Sequence, residues 1–143
     1  MSITHFTPPY AIARFDGALM FGDVQSGLMT TGAVKSPIVT FRVLAGAQVH
    51  PVWALDALAV KVYSYAYAAR ALNLGETQLQ VSVTASWVST CDYSNLIATQ
   101  IEWHAPSNVR SFVERMIAEA KSGKFSADWP STEMRIPSQE ANA

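Results

Sequence analysis

The chain has 143 residues, half of them apolar and 15% charged, with ten Lys and Arg against eleven Asp and Glu for a formal net charge of −1. That is the length of one domain, and a domain near 150 residues buries roughly 68–70% of its chain's surface, so no disulfide or metal is required to hold it. The composition excludes a disordered tail, a cysteine-stapled toxin and a collagen-like fibre, and the near-neutral charge argues against a protein that grips nucleic acid by bulk electrostatics.

In chain order, Met1–Pro9 reads as an extended lead, because Pro8-Pro9 neither continues a helix nor donates to a central strand. Ala11–Phe21 carries apolar residues in rough alternation and reads as a first strand, with Gly17 marking a bulge or a bend at a barrel corner. Gly22–Gly32 is rich in turn chemistry and reads as a loop. Ile38–Leu44 alternates, Ile38, Thr40, Arg42 and Leu44 on one face and Val39, Phe41 and Val43 on the other, and predicts a second strand. Ala45-Gly46-Ala47 turns the chain into a third strand, Val49–Val62, which contains Trp53 and ends in the β-branched run Val60-Lys61-Val62.

Ser64–Leu72 is alanine-rich and predicts a helix capped by Ser64, with Gly75 in the left-handed position after its end. Tyr63 and Tyr67, four apart, pair on one side of it as core packing. Thr77–Thr90 alternates as a fourth strand, Cys91–Ser94 forms a tip, and Asn95–Trp103 is the fifth strand. After Pro106, the apolar positions Val109, Phe112, Val113, Met116, Ile117 and Ala120 recur at helical spacing, with Ser107 or Asn108 as cap and Gly123 as stop. Residues 124–143 read as a flexible tail.

No apolar stretch approaches the ~20 residues of a membrane span, and the N-terminus lacks a basic start followed by an apolar run, so a cytoplasmic protein is expected. The single cysteine, Cys91, forms no internal disulfide and reads as a spectator thiol, which suits a reducing compartment. The expected architecture is mainly β: a five-stranded OB-fold barrel over residues 10–105, with a helix between its third and fourth strands. An amphipathic helix over 106–123 follows, as padding for the barrel or as an oligomer interface. The competing architecture is another α+β sandwich.

Arg14-Phe-Asp-Gly-Ala-Leu19 resembles the opening strand of the bacterial, phage and plasmid single-stranded-DNA-binding (SSB) proteins. Gly27–Val34 followed by Ile38–Val43 is similar to that family's glycine-containing loop and second strand, and Trp53 matches the Trp that opens its third strand. Ala66–Gly75 resembles its helix, Gln80–Ala85 the following strand with Ala85 where Gly is usual, and Leu96–Glu102 its last barrel strand. The chain ends Ser-Gln-Glu-Ala-Asn-Ala instead of in the family's acidic tip. The resemblance, over about Ala11–Trp103, implies a protein of phage or mobile-element type that binds single-stranded DNA as a homo-oligomer.

Such binding needs cations for phosphates and exposed aromatic faces for bases. Residues 1–105 hold twelve Phe, Trp and Tyr but only five Lys and Arg, against six Asp and Glu. Salt dependence should therefore be weak and stacking should carry the affinity. Candidate nucleic-acid contacts are Trp53, Trp87, Tyr93, Arg42, Lys35 and Lys61. Arg42 faces outward if the barrel interior takes Phe41, Trp53 is either a stacking platform or a core aromatic, and the two lysines are phosphate contacts or solvated strand ends.

No HExxH, GxSxG, P-loop or dinucleotide motif occurs, and His50 and Asp56 form a base and orienter only if the strand breaks between them. The expected function is non-enzymatic, sequence-independent single-stranded DNA binding with no metal, cofactor, membrane or small-molecule substrate. The alternative is an OB-fold protein-contact module of a replication, recombination or phage complex.

Overall fold

Alternating exposure along β1 (Ile12–Leu19) turns Ala13, Phe15 and Leu19 toward the core and Ile12, Arg14 and Asp16 outward. The computed structural model from which this follows describes residues 12–89, 94–121 and Met134. β1 pairs antiparallel with β5 (Gln80–Ser89), and at its end Ala18 faces both Gln80 and Leu44 of β3 (Val34–Ala45). Gly17 is the corner: a Cβ there would lie 2.3 Å from the Leu44 carbonyl oxygen, so only glycine lets the two backbones approach.

The stretch read as a loop is mostly strand. After a 3-10 turn at Phe21–Asp23, β2 (Gln25–Thr31) pairs with the first half of β3, from Gln25↔Thr40 to Thr31↔Val34, across a turn where Gly32 takes φ 62°. Turn-forming residues are tolerated there because the partner strand, not local propensity, fixes the conformation. Pro37 fits in β3 because it faces Leu28, whose carbonyl points away from β3 and accepts from the Met134 amide at 2.8 Å.

β4 (Gln48–Leu55) ends seven residues earlier than the alternation suggests. Asp56 adopts φ 55°, which breaks the strand and starts α1 (Asp56–Ala71), so Val60-Lys61-Val62 lies in a helix. Leu58, Val62, Tyr65, Ala69 and Leu72 repeat at four- and three-residue steps, and this stripe packs on the core. Ser64 is therefore no cap; it is buried inside α1 and donates to the Val60 carbonyl, 2.8 Å away. Asn73 rather than Gly75 takes the left-handed position, with amides of Leu74 and Asn73 bonded back to Ala69 and Arg70 in a Schellman closure.

β6 (Ser94–His104) pairs antiparallel with β5 and parallel with β4 at Val52↔Leu96 and Trp53↔Ile97. The ring β1–β3–β4–β6–β5 closes back on β1, which is the strand order of an OB-fold barrel. β2 makes a sixth segment, continuing β1 along β3 after the interruption. α1 lies between the third and fourth strands of that ring, and α2 (Ser107–Lys121) packs Val109 and Val113 into the same core beside it, as padding. Phe41, Val43, Val52, Val81 and Val83 fill the interior.

Tyr67 is exposed, tilted against Phe112 of α2 at 6.1 Å, whereas Tyr65 is buried. Core packing thus falls to Tyr65 and half-buried Tyr63 rather than to a Tyr63–Tyr67 pair. The Pro8-Pro9 lead, Cys91, the Gly123 stop and most of 124–143 lie outside the described residues; within that last stretch Met134 is tied to β2.

Candidate nucleic-acid interface

Buried Val39, Phe41 and Val43 turn the alternate residues of β3 out, so Arg42 projects from the barrel wall. On β4 the fully buried Val52 and Ala54 do the same for Trp53, which is half-buried on the outer face. The register sets Thr40 opposite Trp53 and Arg42 opposite Pro51. Arg42 and Trp53 are therefore diagonal cross-strand neighbours on one face, within reach of long side chains. Trp53 lies on the outer face of the barrel and not in its core.

The same transverse row continues from Trp53 to Ile97 and from Ile97 to Ser86, so Trp87 stands two strands over from Trp53. Trp87 shares the alternation of buried Val83 and Ala85 but is 44% exposed, in the part of the β5–β6 hairpin that pairs Trp87 with Leu96. Lys35 is exposed near the tip of the β2–β3 hairpin, opposite Thr30. Lys61 is exposed on α1, not at a strand end. Tyr93 lies outside the described residues.

Two features escape sequence reasoning. Phe15 and His50 stack at 4.4 Å between centroids, joining β1 to β4. β4 runs unbroken from Gln48 to Leu55, so His50 and Asp56 are about 20 Å apart along it and form no base–orienter pair. The second feature is a cleft of about 360 Å³ between the Phe21–Asp23 turn and Arg42, lined also by Gln25, Thr40 and Pro51. It arises because Leu19 faces Val43 while Gln25 faces Thr40: six residues of one chain span the length of three on β3, and the surplus is extruded as the turn.

Elsewhere, Tyr65 stacks on Trp103 at 3.9 Å beneath α2, and burial raises the Tyr65 hydroxyl's pKa above its usual 10.0; Arg110 works against this and Glu114 with it. Ser82 and His104 share a hydrogen bond of 2.9 Å on the β5–β6 wall. Among the described residues no group of three His, Cys, Asp or Glu is placed to hold a metal ion, and no helix is long and apolar enough to cross a membrane.

No family model and no curated protein matches the sequence. Among solved structures, the chain is similar to the SSB domain of a Synechococcus sp. protein, with a TM-score of 0.43 and 12% identity over 64% of this chain and 93% of that one. It is also similar to the S. pombe Stn1–Ten1 complex, with a TM-score of 0.35 and 14% identity over 79% of this chain and 73% of that one. The strand ring of this chain itself defines its class: an OB-fold barrel with an interrupted first strand and an added C-terminal helix.

Proposed function

We propose that this chain is a non-enzymatic single-stranded DNA-binding protein that stacks bases on Trp53, meets the backbone with Arg42 and accepts any sequence. The observation that carries this reading is the placement of Trp53 and Arg42 on one outer face of the barrel's second and third strands. That is the face OB-folds use for oligonucleotides, together with the hairpins joining strands one to two and four to five. Here those hairpins are β2–β3, which carries Lys35, and β5–β6, which carries Trp87 and leads into Tyr93. Stacking supplies about 1–3 kcal/mol per base whatever its identity, so a face with one arginine still holds a strand. A cytoplasmic setting and self-association belong to the same proposal.

Titration with oligo-dT at low and moderate salt, followed by tryptophan fluorescence, tests it. Quenching is expected, and Trp53→Ala should weaken binding by about 1–3 kcal/mol while the circular dichroism spectrum stays unchanged. Absence of both quenching and a gel shift at micromolar protein would refute strand binding and favour the protein-contact module. Light scattering on the same sample reads the number of copies.

A further inference from the structure

The cleft beside Arg42 is lined by residues of both signs of charge, Asp23 at the end of the extruded turn and Arg42, together with Gln25, Thr40 and Pro51. A site for phosphate alone would not place a carboxylate at its edge, since the two anions repel. A nucleobase edge, by contrast, offers donors and acceptors side by side.

The four bases differ in how well they match this pair. Guanine alone presents two adjacent donors, N1–H and the exocyclic amine, to a carboxylate, and two adjacent acceptors, O6 and N7, to a guanidinium. Cytosine offers the carboxylate only its amine. Adenine likewise offers one amine, beside a ring acceptor that a carboxylate repels. Thymine offers one imide N–H. The pairing with guanine is bidentate at both ends, and planar Arg favours that geometry.

Position supports the same occupant. Pro51 and Trp53 lie two residues apart on one strand face, about 6.6 Å, so a base stacked on Trp53 leaves the next nucleotide over Pro51 at the cleft. The cleft's volume of about 360 Å³ admits one base with its sugar. We propose that the cleft between the Phe21–Asp23 turn and Arg42 is a nucleobase subsite that selects guanine, Asp23 accepting from N1–H and the amine and Arg42 donating to O6 and N7. The base belongs to the bound strand, so for its source this rests on the strand-binding reading; a free guanine nucleotide offers the same edge. Trp53 takes any base, and Arg42 meets a phosphate wherever the nucleotide at the cleft is not guanine; with guanine there it turns to the base edge, so the subsite adds a preference at one position to binding that otherwise accepts any sequence.

The test compares fluorescein-labelled dT15 with the same strand carrying one central dG, by anisotropy, on the full chain and on Asp23→Asn, with equilibrium dialysis against 5′-GMP in parallel. The wild-type protein should hold the dG strand about tenfold more tightly than dT15, and Asp23→Asn should bring the ratio near one whatever it does to dT15 itself. Equal wild-type affinities for the two strands would overturn the subsite while leaving strand binding intact. Saturable binding of 5′-GMP that is lost in Asp23→Asn, without binding of either strand, supports the guanine site and identifies its source as free nucleotide. Binding of none of the three ligands overturns both this inference and the function beneath it.

Discussion

Gly17→Ala should open the barrel. The new Cβ would sit 2.3 Å from the Leu44 carbonyl oxygen, 2.8 Å from its carbon and 3.0 Å from the Ala45 Cα, whereas ordinary contact begins at 3.4 Å. β1 and β3 must separate by about 1 Å, and every clashing atom is backbone with no rotamer to change. β3 cannot retreat, because Leu44 is paired to Val49 of β4 on its other side. The pairs Ala18↔Leu44 and Leu19↔Val43 and the 2.8 Å bond from the Met20 amide to the Arg42 carbonyl are then at risk. Strain of about 1–3 kcal/mol plus one or two weakened hydrogen bonds of about 1 kcal/mol each gives about 2–5 kcal/mol, a large share of the roughly 5–15 kcal/mol by which domains are stable. Urea unfolding followed by circular dichroism reads this as a midpoint lowered by about 1 M or more. Gly22→Ala is the control, since a Cβ there meets nothing within 4 Å and should leave the midpoint in place. An unshifted midpoint in Gly17→Ala would refute the account of how the barrel closes.

Arg42→Ala should flatten the dependence of log affinity for oligo-dT on log salt by about 0.7, the value of one single-strand phosphate contact; an unchanged slope would remove Arg42 from the backbone path. Because burial raises the Tyr65 pKa in the fold, the unfolded chain loses this proton first as pH rises past 10.0, so stability should be insensitive to Tyr65 below that pH and fall above it. Tyr65→Phe should flatten that alkaline limb of a urea-midpoint profile, and a parallel profile would contradict the assignment. Met134→Pro removes the amide that donates to the Leu28 carbonyl and should cost about 0.5–1.5 kcal/mol in the same unfolding assay; wild-type stability would show that the contact contributes nothing.

Strands were legible wherever one face is buried. Phe41 and Val43 alternating with Arg42 mark the two faces of β3 in the sequence, but only the burial of Val52 and Ala54 in the fold shows that Trp53 lies outside rather than in the core. The start of α1 was not legible, because its signals are not local. Leu55 precedes it with no side-chain cap bond, Asp56 takes a left-handed conformation, and Val60 and Val62 favour strand by propensity. Only the Leu58–Val62–Tyr65–Ala69 stripe, buried against the barrel, decides for helix. Likewise β2 owes its conformation to pairing with β3, which no turn residue between Gly22 and Gly32 announces. The cleft is one step further removed, since it exists through a register difference between β1 and β2 along one partner strand.

The near-neutral charge that first argued against nucleic acid acquires a direction once the charges are placed on the barrel. On the β1–β5–β6 wall, Asp16 and Glu102 flank Ser82 in one transverse row, with Arg14 beside Thr84 in the next, so two carboxylates face solvent there against one guanidinium. On the β3–β4 wall, Arg42 projects beside Trp53, and Asp23 lines the cleft next to it. On the proposed reading, a polyanionic strand would be repelled from the first wall and would meet Trp53 and Arg42 on the second. Small net charge and strand binding are therefore compatible, provided that stacking supplies the affinity and the acidic wall limits where the strand can lie. Charge reversal at Asp16 or Glu102 should accordingly strengthen binding chiefly at low salt, where such longer-range repulsion is least screened.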